Sequence, residues 1–331
     1  MQRRKAALWT TFGLAAATVG VALVAPEAML AAEFARQRLL AGATRYAIGV
    51  AGHRWRYLDA GRPRRGRGGL RNGQPQAVRH KPVIVLVHGF TGSKENWLPV
   101  MRELAGEFRL IAPDLPGWGE SERQPGGDYG VEAQVERLAR FLDALPAIIG
   151  RDGPPDLLVG HSMGGQIAGL LAARHPHRVS RLLLMSAAGV EFDVNAFGIS
   201  VQAGENPFIV RDGAELRRYL GTVFRQPPAV PWPFSEALVQ RRREDAPFEQ
   251  RVLDDIGRGP AAFALQRELG AIRAPTLLLW GDEDAVIDAS AIAIFEAGLA
   301  DARATLLNGC GHMPMMERTR ETATAIRDFL Q

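Results

Sequence analysis

The chain has 331 residues, of which 47% are hydrophobic and 23% are charged; this is enough to bury one large core and excludes a mostly disordered protein. Its single cysteine, Cys310, excludes an intrachain disulfide framework. The net charge of +4 depends on residues 61–81, which carry seven basic residues and no acidic one. The basic balance therefore belongs to one segment and does not indicate a fold-wide basic face.

The chain starts with a basic cluster, residues 3–5, followed by an uncharged and mostly apolar stretch over residues 6–26. About 20 such residues are the length that a helix needs to cross the hydrocarbon core of a bilayer. A retained anchor and a cleaved signal peptide both fit this pattern. We favour the anchor, because the local cleavage candidate, residues 23–25, has a large residue at −3 and is followed by a proline. Residues 26–42 are expected to continue as a helix on the bilayer surface, which completes an N-terminal membrane unit over residues 1–45.

The side of the membrane is indicated by the charges that flank this stretch. The basic residues before it favour an N-terminus on the inner side, whereas the arginines that follow are partly offset by Glu27 and Glu33. The sequence therefore predicts a single-pass membrane protein whose main domain lies outside the cytoplasm.

Beyond residue 45, segments with the pattern of strands alternate with segments that have the pattern of helices. Residues 82–87 (P-V-I-V-L-V) form a continuous apolar run, as in a strand buried on both faces. The other predicted strands are 46–50, 54–59, 108–113, 156–160, 181–186, 276–280 and 304–307, and the predicted helices are 97–105, 131–145, 163–175, 289–299 and 317–330. This alternation predicts a mostly parallel sheet with helices on both faces, whose chemistry gathers in the loops at the carboxyl ends of the strands.

The alternation breaks over residues 189–270, where prolines and mixed helical segments occur without a strong strand pattern. We interpret this region as a helical cap inserted into a core formed by residues 46–188 and 271–331. Within the core, residues 61–81 form an Arg- and Gly-rich insert. Such an insert is typical of a solvated loop, although attraction to anionic lipid headgroups or to nucleic acid is an alternative. No nucleic-acid-binding module is visible, so we expect no nucleic-acid partner.

The first candidate for catalysis is Ser162, in residues 160–165 (G-H-S-M-G-G). A G-x-S-x-G match alone is weak, but here an apolar strand leads into it and a helical pattern follows it. Such a strand–turn–helix exposes the serine hydroxyl, and the helix N-terminus favours developing negative charge. The alternative is a serine that only caps a helix.

A serine hydroxyl needs a general base and an acid partner for that base. His312 is the expected base, because it follows the last predicted strand in a glycine-rich loop. His161 is adjacent to Ser162, but neighbouring side chains at such a turn point apart. Asp284, after the strand over residues 276–280, is the preferred acid, with Asp282 as the alternative.

The oxyanion of an acyl-transfer reaction needs hydrogen-bond donors. We expect the backbone N–H groups of Met163 and Phe90 to supply them, because Met163 follows the nucleophile and Phe90 lies in the loop after the strand over residues 82–87. Trp118 is a candidate for substrate binding. No metal-ligand cluster or phosphate-binding loop is visible, so we expect neither a metal nor a cofactor.

Taken together, these motifs resemble the α/β-hydrolase superfamily, and most closely its membrane-anchored monoacylglycerol lipases and cold-adapted bacterial lipases. The resemblance spans residues 46–331 and rests on the segments 88–90 (H-G-F), 114–117 (D-L-P-G), 160–169 (G-H-S-M-G-G-Q-I-A-G), 280–284 (W-G-D-E-D), 308–312 (N-G-C-G-H) and 316–318 (M-E-R). It implies an eight-stranded α/β-hydrolase fold. It also implies a serine carboxylic-ester hydrolase that acts on monoacylglycerols or other acyl esters at a membrane surface. Separately, we expect the protein to be a monomer.

Two other functions remain open. A C–C bond hydrolase of the meta-cleavage type uses the same triad and needs cationic cap residues to hold a carboxylate; Arg217, Arg218 and Arg241 are candidates, although a solvated helix face explains them equally well. The predicted anchor argues against soluble substrates of that kind. A ligand receptor on a hydrolase fold is the other alternative, since fold does not establish function.

Overall fold

The computed structural model describes residues 25–62, 70–71, 74–75 and 80–331. Its strands are β1 (Ala43–Val50), β2 (His53–Ala60), β3 (Leu70–Arg71), β4 (Gln74–Pro75), β5 (Val83–Val87), β6 (Arg109–Pro113), β7 (Leu157–His161), β8 (Leu182–Met185), β9 (Thr276–Gly281) and β10 (Ala302–Leu307). Eight of them form one sheet in the order β1-β2-β6-β5-β7-β8-β9-β10, and β3 pairs with β4 alone.

The large sheet is mostly parallel, as the sequence predicts. Only the pairs β1–β2 and β2–β6 are antiparallel, and every later pair is parallel. All residues of β5, β6, β7, β8 and β9 are buried. Because successive side chains of a strand point to opposite faces, complete burial means that both faces of the sheet are covered.

The α-helices of the described residues are α1 (Pro26–Leu40), α2 (Leu98–Leu104), α3 (Val131–Ile149), α4 (Met163–Arg174), α5 (Ala196–Gln202), α6 (Gly213–Val223), α7 (Phe234–Ile256), α8 (Gly259–Ala262), α9 (Ala291–Gly298), α10 (Pro314–Glu317) and α11 (Thr319–Leu330). Short 3-10 helices cover Lys94–Trp97, Pro176–Arg178 and Leu265–Ala271. Helix α4 packs on β7, β8 and α3, while α2 packs on α11. The core therefore lies between the sheet and these helices.

Residues 189–270 form α5 to α8 and one 3-10 helix, without a strand, between β8 and β9. The longest of these helices, α7, has 23 residues and continues past Pro247, which lies inside it. Proline removes a hydrogen bond from a helix interior and predicts an earlier end. Here Phe248, Val252 and Ile256 beyond the proline are buried, so packing outweighs the local propensity. The interpretation of residues 189–270 as a cap domain, with these boundaries, stays a prediction.

The predicted location as a single-pass membrane protein is wrong. Across residues 25–62 and 80–331, where the structure describes side chains, no helix has both the length and the apolar character needed to cross a bilayer. Helix α1 has 15 residues, and it packs against α7 with Leu30 buried. The predicted span over residues 6–26 lies outside the described residues except for its last two. Most of the insert over residues 61–81 lies outside them as well.

Candidate active site

The turn between β7 and α4 places Ser162 at the carboxyl edge of the sheet. Ser162 has φ +54° and ψ −123°, a conformation that costs an ordinary residue about 1–3 kcal/mol. Hydrogen bonds hold it: the Ser162 N–H donates to Met185 O at 3.0 Å, and Ser162 O accepts from Ala188 N at 3.0 Å and Gly165 N at 2.8 Å. The serine is therefore fixed in a strained turn between a buried strand and a buried helix.

Two glycines allow the loop after β5 to approach this turn. A Cβ on Gly89 would lie 2.8 Å from Ser162 Cβ, and a Cβ on Gly164 would lie 2.4 Å from His88 O. Both distances are shorter than van der Waals contact, so side chains at either position would push the loop and the turn apart. The approach brings Phe90 next to Ser162, and both residues line the same cavities.

The amide groups expected to bind an oxyanion are located at this contact. Within the described chain, neither the Phe90 N–H nor the Met163 N–H donates a hydrogen bond. Met163 is the first residue of α4, where the N–H groups of a helix have no intrahelical acceptor. Two free backbone donors beside Ser162 are the arrangement that a tetrahedral oxyanion requires.

Asp284 and His312 form a buried pair. His312 Nδ1 lies 2.8 Å from Asp284 Oδ2 and 3.0 Å from Oδ1. Asp284 Oδ1 also accepts hydrogen bonds from the N–H groups of Val286 at 2.9 Å and Ile287 at 3.0 Å. A carboxylate oxygen only accepts hydrogen bonds, so Nδ1 carries the proton and donates to Asp284. The Nε2 atom of His312 is thereby left as the proton acceptor of the ring.

The other acid and base candidates have structural partners. Asp282 is exposed and accepts a hydrogen bond from Cys310 N at 3.2 Å. His161 Nε2 lies 2.7 Å from His312 O; a carbonyl oxygen only accepts, so this nitrogen carries the proton. Burial lowers the pKa of His161 well below its usual value, which keeps the ring neutral. His161 thus contacts the backbone of His312 and not the hydroxyl of Ser162.

Ser162 and His312 line a common cavity of about 30 Å³, together with Thr91 and Tyr219. No hydrogen bond joins Ser162 Oγ to His312 Nε2 among the described contacts. Such catalytic hydrogen bonds are often long without substrate and tighten in the reacting complex. A second cavity of about 120 Å³ also reaches Ser162, and its lining is mostly apolar.

Trp118 lies behind this site. Its ring packs edge-on against Phe90 at 5.1 Å and against Phe248 at 5.1 Å, and it lines neither cavity that contains Ser162. Its assignment as a substrate-binding residue stays a prediction. In the ranges that carry side-chain detail, no group of three His, Cys, Asp or Glu residues is placed to hold a metal ion.

Several cavity residues are not identified by the sequence motifs. Phe197 and Phe208 line the larger cavity, and both come from the region between β8 and β9. Arg242 and Glu249, on α7, form a buried ion pair with Nη1 and Oε1 2.7 Å apart. Arg242 and Glu249 themselves line neither cavity at Ser162. No motif marks these four positions, because their places depend on how the segments between β8 and β9 pack against the rest of the chain.

The chain is similar in sequence and in fold to known hydrolases. A family model described as alpha/beta hydrolase fold matches residues 82–319. The human monoacylglycerol lipase ABHD6 is 31% identical over 259 residues, covering 76% of each chain. Lipase 1 of Psychrobacter immobilis is 29% identical over 250 residues, covering 74% of this chain and 76% of the lipase. The crystal structure of a membrane phospholipase A, described as a bacterial virulence factor, superposes with a TM-score of 0.81 at 34% identity, covering 100% of this chain and 98% of that one.

Proposed function

The chain belongs to the α/β-hydrolase family, and from that premise we propose that it is a serine carboxylic-ester hydrolase that forms an acyl-enzyme on Ser162. Its relatives support a hydrolase of the lipase or esterase kind. The observation that carries the serine mechanism is the buried Asp284–His312 pair, whose histidine lines a cavity together with a serine held in a strained strand–helix turn.

The acylation step uses the protonation state set by Asp284. His312 Nε2 takes the proton of Ser162 Oγ while Oγ attacks the ester carbonyl, and the Asp284 carboxylate stabilises the resulting imidazolium. The N–H groups of Phe90 and Met163 hold the oxyanion, and each such donor contributes about 3–4 kcal/mol to transition-state stabilisation. His312 then gives its proton to the departing alcohol.

Deacylation repeats these steps with water. His312 takes a proton from a water molecule that attacks the acyl carbonyl, and Ser162 leaves with that proton. The residues of this chain supply a nucleophile, a base and oxyanion donors, so the proposed cycle uses no cofactor.

The larger cavity favours acyl esters of lipids. Its lining is dominated by apolar side chains, including Phe192, Val201 and Leu253, and burying each methylene of an acyl chain contributes about 0.8 kcal/mol. The similar human protein is named a monoacylglycerol lipase, and the similar solved structure is a phospholipase A. We therefore propose acylglycerols, with monoacylglycerol first among them, as the substrates.

The experiment is hydrolysis of monoacylglycerols of graded chain length, with phosphatidylcholine and short p-nitrophenyl esters alongside. Ser162→Ala should lose at least about 10³-fold in kcat on every ester that the wild type hydrolyses. Ser186→Ala is the matched control, because Ser186 is also buried, follows the neighbouring strand β8 and has a positive φ of 44°. Residual turnover in Ser162→Ala comparable to that of Ser186→Ala would refute the mechanism.

No observation favours the C–C hydrolase. Arg217, Arg218 and Arg241 are exposed, and none of them lines either cavity that reaches Ser162. A ligand receptor would bind esters with a single turnover at most. Steady-state turnover in the same assay separates that alternative from the proposed enzyme.

A further inference from the structure

The two cavities that reach Ser162 share three residues and differ in character. Ser162, Phe90 and Phe208 line both of them. The larger cavity, about 120 Å³, is otherwise mostly apolar. The smaller, about 30 Å³, is lined by Thr91 and Tyr219, whose hydroxyl oxygens are 3.3 Å apart. An ester bound at Ser162 has an acyl part and an alcohol part, and the two cavities match them in polarity.

Phe208 lines both cavities and packs against a wall of each. Its ring packs against Phe197 at 4.8 Å, which lines the larger cavity, and against Tyr219 at 6.0 Å, which lines the smaller one. It also packs against Phe90 at 5.6 Å. Ser162 and Phe90 have proposed roles in the chemistry itself, so Phe208 is the shared residue that is free to set the shape of the site.

The backbone of Phe208 is held at both of its polar groups. Its N–H donates to Asn206 Oδ1 at 3.0 Å, and its carbonyl oxygen accepts from Arg242 Nη2 at 2.5 Å. Arg242 Nη1 donates to Glu249 Oε1 at 2.7 Å, and its guanidinium lies 4.9 Å from the Tyr219 ring centre. One arginine thus contacts the backbone of Phe208 and the ring of Tyr219, which lines the smaller cavity.

A buried ion pair at this position needs a reason other than stability. Arg242 is 9% exposed and Glu249 is 2% exposed, and removing two charges from water often costs more than their attraction returns. The proposed reaction uses neither side chain. Arg242 does contact the carbonyl oxygen of Phe208, and Glu249 holds the arginine in that position.

We propose that Phe208 is a specificity-determining residue that separates the acyl and alcohol parts of the ester, and that Arg242 is a positioning residue that holds it in place. This inference rests on the proposed function of Ser162. It assigns the acyl chain to the larger cavity and a small hydroxylated alcohol to the smaller one. Loss of the Phe208 ring joins the two cavities and admits a bulky alcohol.

The test compares methyl octanoate with benzyl octanoate, which share an acyl chain and differ in the alcohol. Phe208→Ala should raise the ratio of kcat/KM for benzyl over methyl ester at least tenfold, and Phe208→Leu, a smaller change that preserves the apolar packing, about threefold. Arg242→Met should raise the ratio at least threefold. In the Phe208→Ala background, Arg242→Met should change the ratio no further, because its effect passes through Phe208.

A second buried arginine supplies the matched control. Arg109 pairs with Asp59 at 2.7 Å and donates to the carbonyls of Ile148 and Ile149 at 2.8 Å, but it lines neither cavity that reaches Ser162. Arg109→Met should lower the melting temperature and leave the ester ratio within twofold of the wild type. An equal loss on both esters in Arg242→Met, matching the behaviour of Arg109→Met, would overturn the positioning role.

The remaining outcomes are also decisive. A wild-type ratio in folded Phe208→Ala overturns the specificity role, and if that variant does not fold, a wild-type ratio in Phe208→Leu does the same. Failure of the proposed function is seen separately, as absence of turnover by the wild type on both esters or as retained turnover in Ser162→Ala.

Discussion

Replacing Asp284 by asparagine removes the negative charge beside His312 while keeping the shape of the side chain. The asparagine oxygen still accepts from the N–H groups of Val286 and Ile287, so its amide group then faces His312 Nδ1. That group donates where the carboxylate accepts, which favours the ring tautomer with its proton on Nε2. The variant therefore loses both the tautomer that accepts the serine proton and the charge that stabilises the imidazolium.

The magnitude follows from the geometry of the pair. With charge centres about 4 Å apart and an effective dielectric constant of about 20, the carboxylate stabilises the imidazolium by roughly 4 kcal/mol. This corresponds to a fall of about 10³-fold in kcat. The assay is hydrolysis of p-nitrophenyl butyrate, with thermal unfolding to show that the variant is folded.

Asp282→Asn is the control for this prediction. Asp282 lies on the same loop, is exposed and accepts a hydrogen bond from Cys310 N, so its loss should change kcat by no more than about threefold. Retention of kcat within tenfold of the wild type in folded Asp284→Asn would refute the assigned role of the pair. Equal losses in the two variants would refute it as well.

The cavity and the ion pair of α7 give two more predictions. Gly198 lines the larger cavity, and a Cβ there meets Phe192 at 3.8 Å, so Gly198→Leu should fill space used by long acyl chains. Loss of about two buried methylenes costs roughly 1.6 kcal/mol, so the ratio of kcat/KM for p-nitrophenyl decanoate over p-nitrophenyl butyrate should fall about 15-fold. The control is Gly221→Leu, on the open surface of α6, which should leave this ratio unchanged. An equal fall in both variants would refute the assignment. Burial raises the pKa of Glu249 from 4.5 to about 7 despite the attraction of Arg242. The folded state therefore favours the protonated carboxyl, and the stability that this protonation gives is fully present below pH 4.5 and is lost as pH rises through 7. Between pH 5 and 8 the free energy of unfolding should therefore fall by roughly 2–3 kcal/mol more in the wild type than in Glu249→Gln, and parallel curves from denaturant titrations would contradict this.

The part of the site that the sequence predicts comes from positions with strict local requirements. Ser162 can be located from the sequence because a strained strand–helix turn needs small neighbouring residues. At position 164, for example, the structure has no room for a side chain, and the residue there is glycine. Asp284 and His312 follow the ends of β9 and β10, which are parallel neighbours. Parallel strands end at the same edge of a sheet, so the sequence order of these residues implies their proximity.

The rest of the site depends on packing that leaves no periodic pattern. Phe208 lies outside regular helices and strands, and its ring packs against Phe90, which is far away in the sequence, and against Phe197 of α5. Arg242 is one of several arginines between β8 and β9, and only its burial against Glu249 distinguishes it from exposed Arg241. The continuation of α7 past Pro247 is likewise decided by burial of the residues that follow.

The membrane prediction also shows that a local pattern does not encode contacts between distant residues. Apolar length and flanking charge indicate a spanning segment from local sequence alone. That segment lies outside the described residues except for its last two, but the helix that follows it, α1, is expected on the bilayer surface and instead forms protein contacts: Arg38 Nη1 lies 2.6 Å from Glu95 Oε1, and Leu30 is buried. Those contacts depend on residues that are distant in the chain, which a local pattern does not encode.

The central claim, that Ser162 becomes covalently acylated, is tested most directly by intact-protein mass spectrometry after treatment with an alkyl fluorophosphonate. The wild type and Ser186→Ala should each gain one phosphonyl group, and peptide mapping should place it on Ser162. Ser162→Ala should gain none, and Asp284→Asn should react far more slowly. A label on another residue, or ester turnover by a protein that takes up no label, would contradict the account.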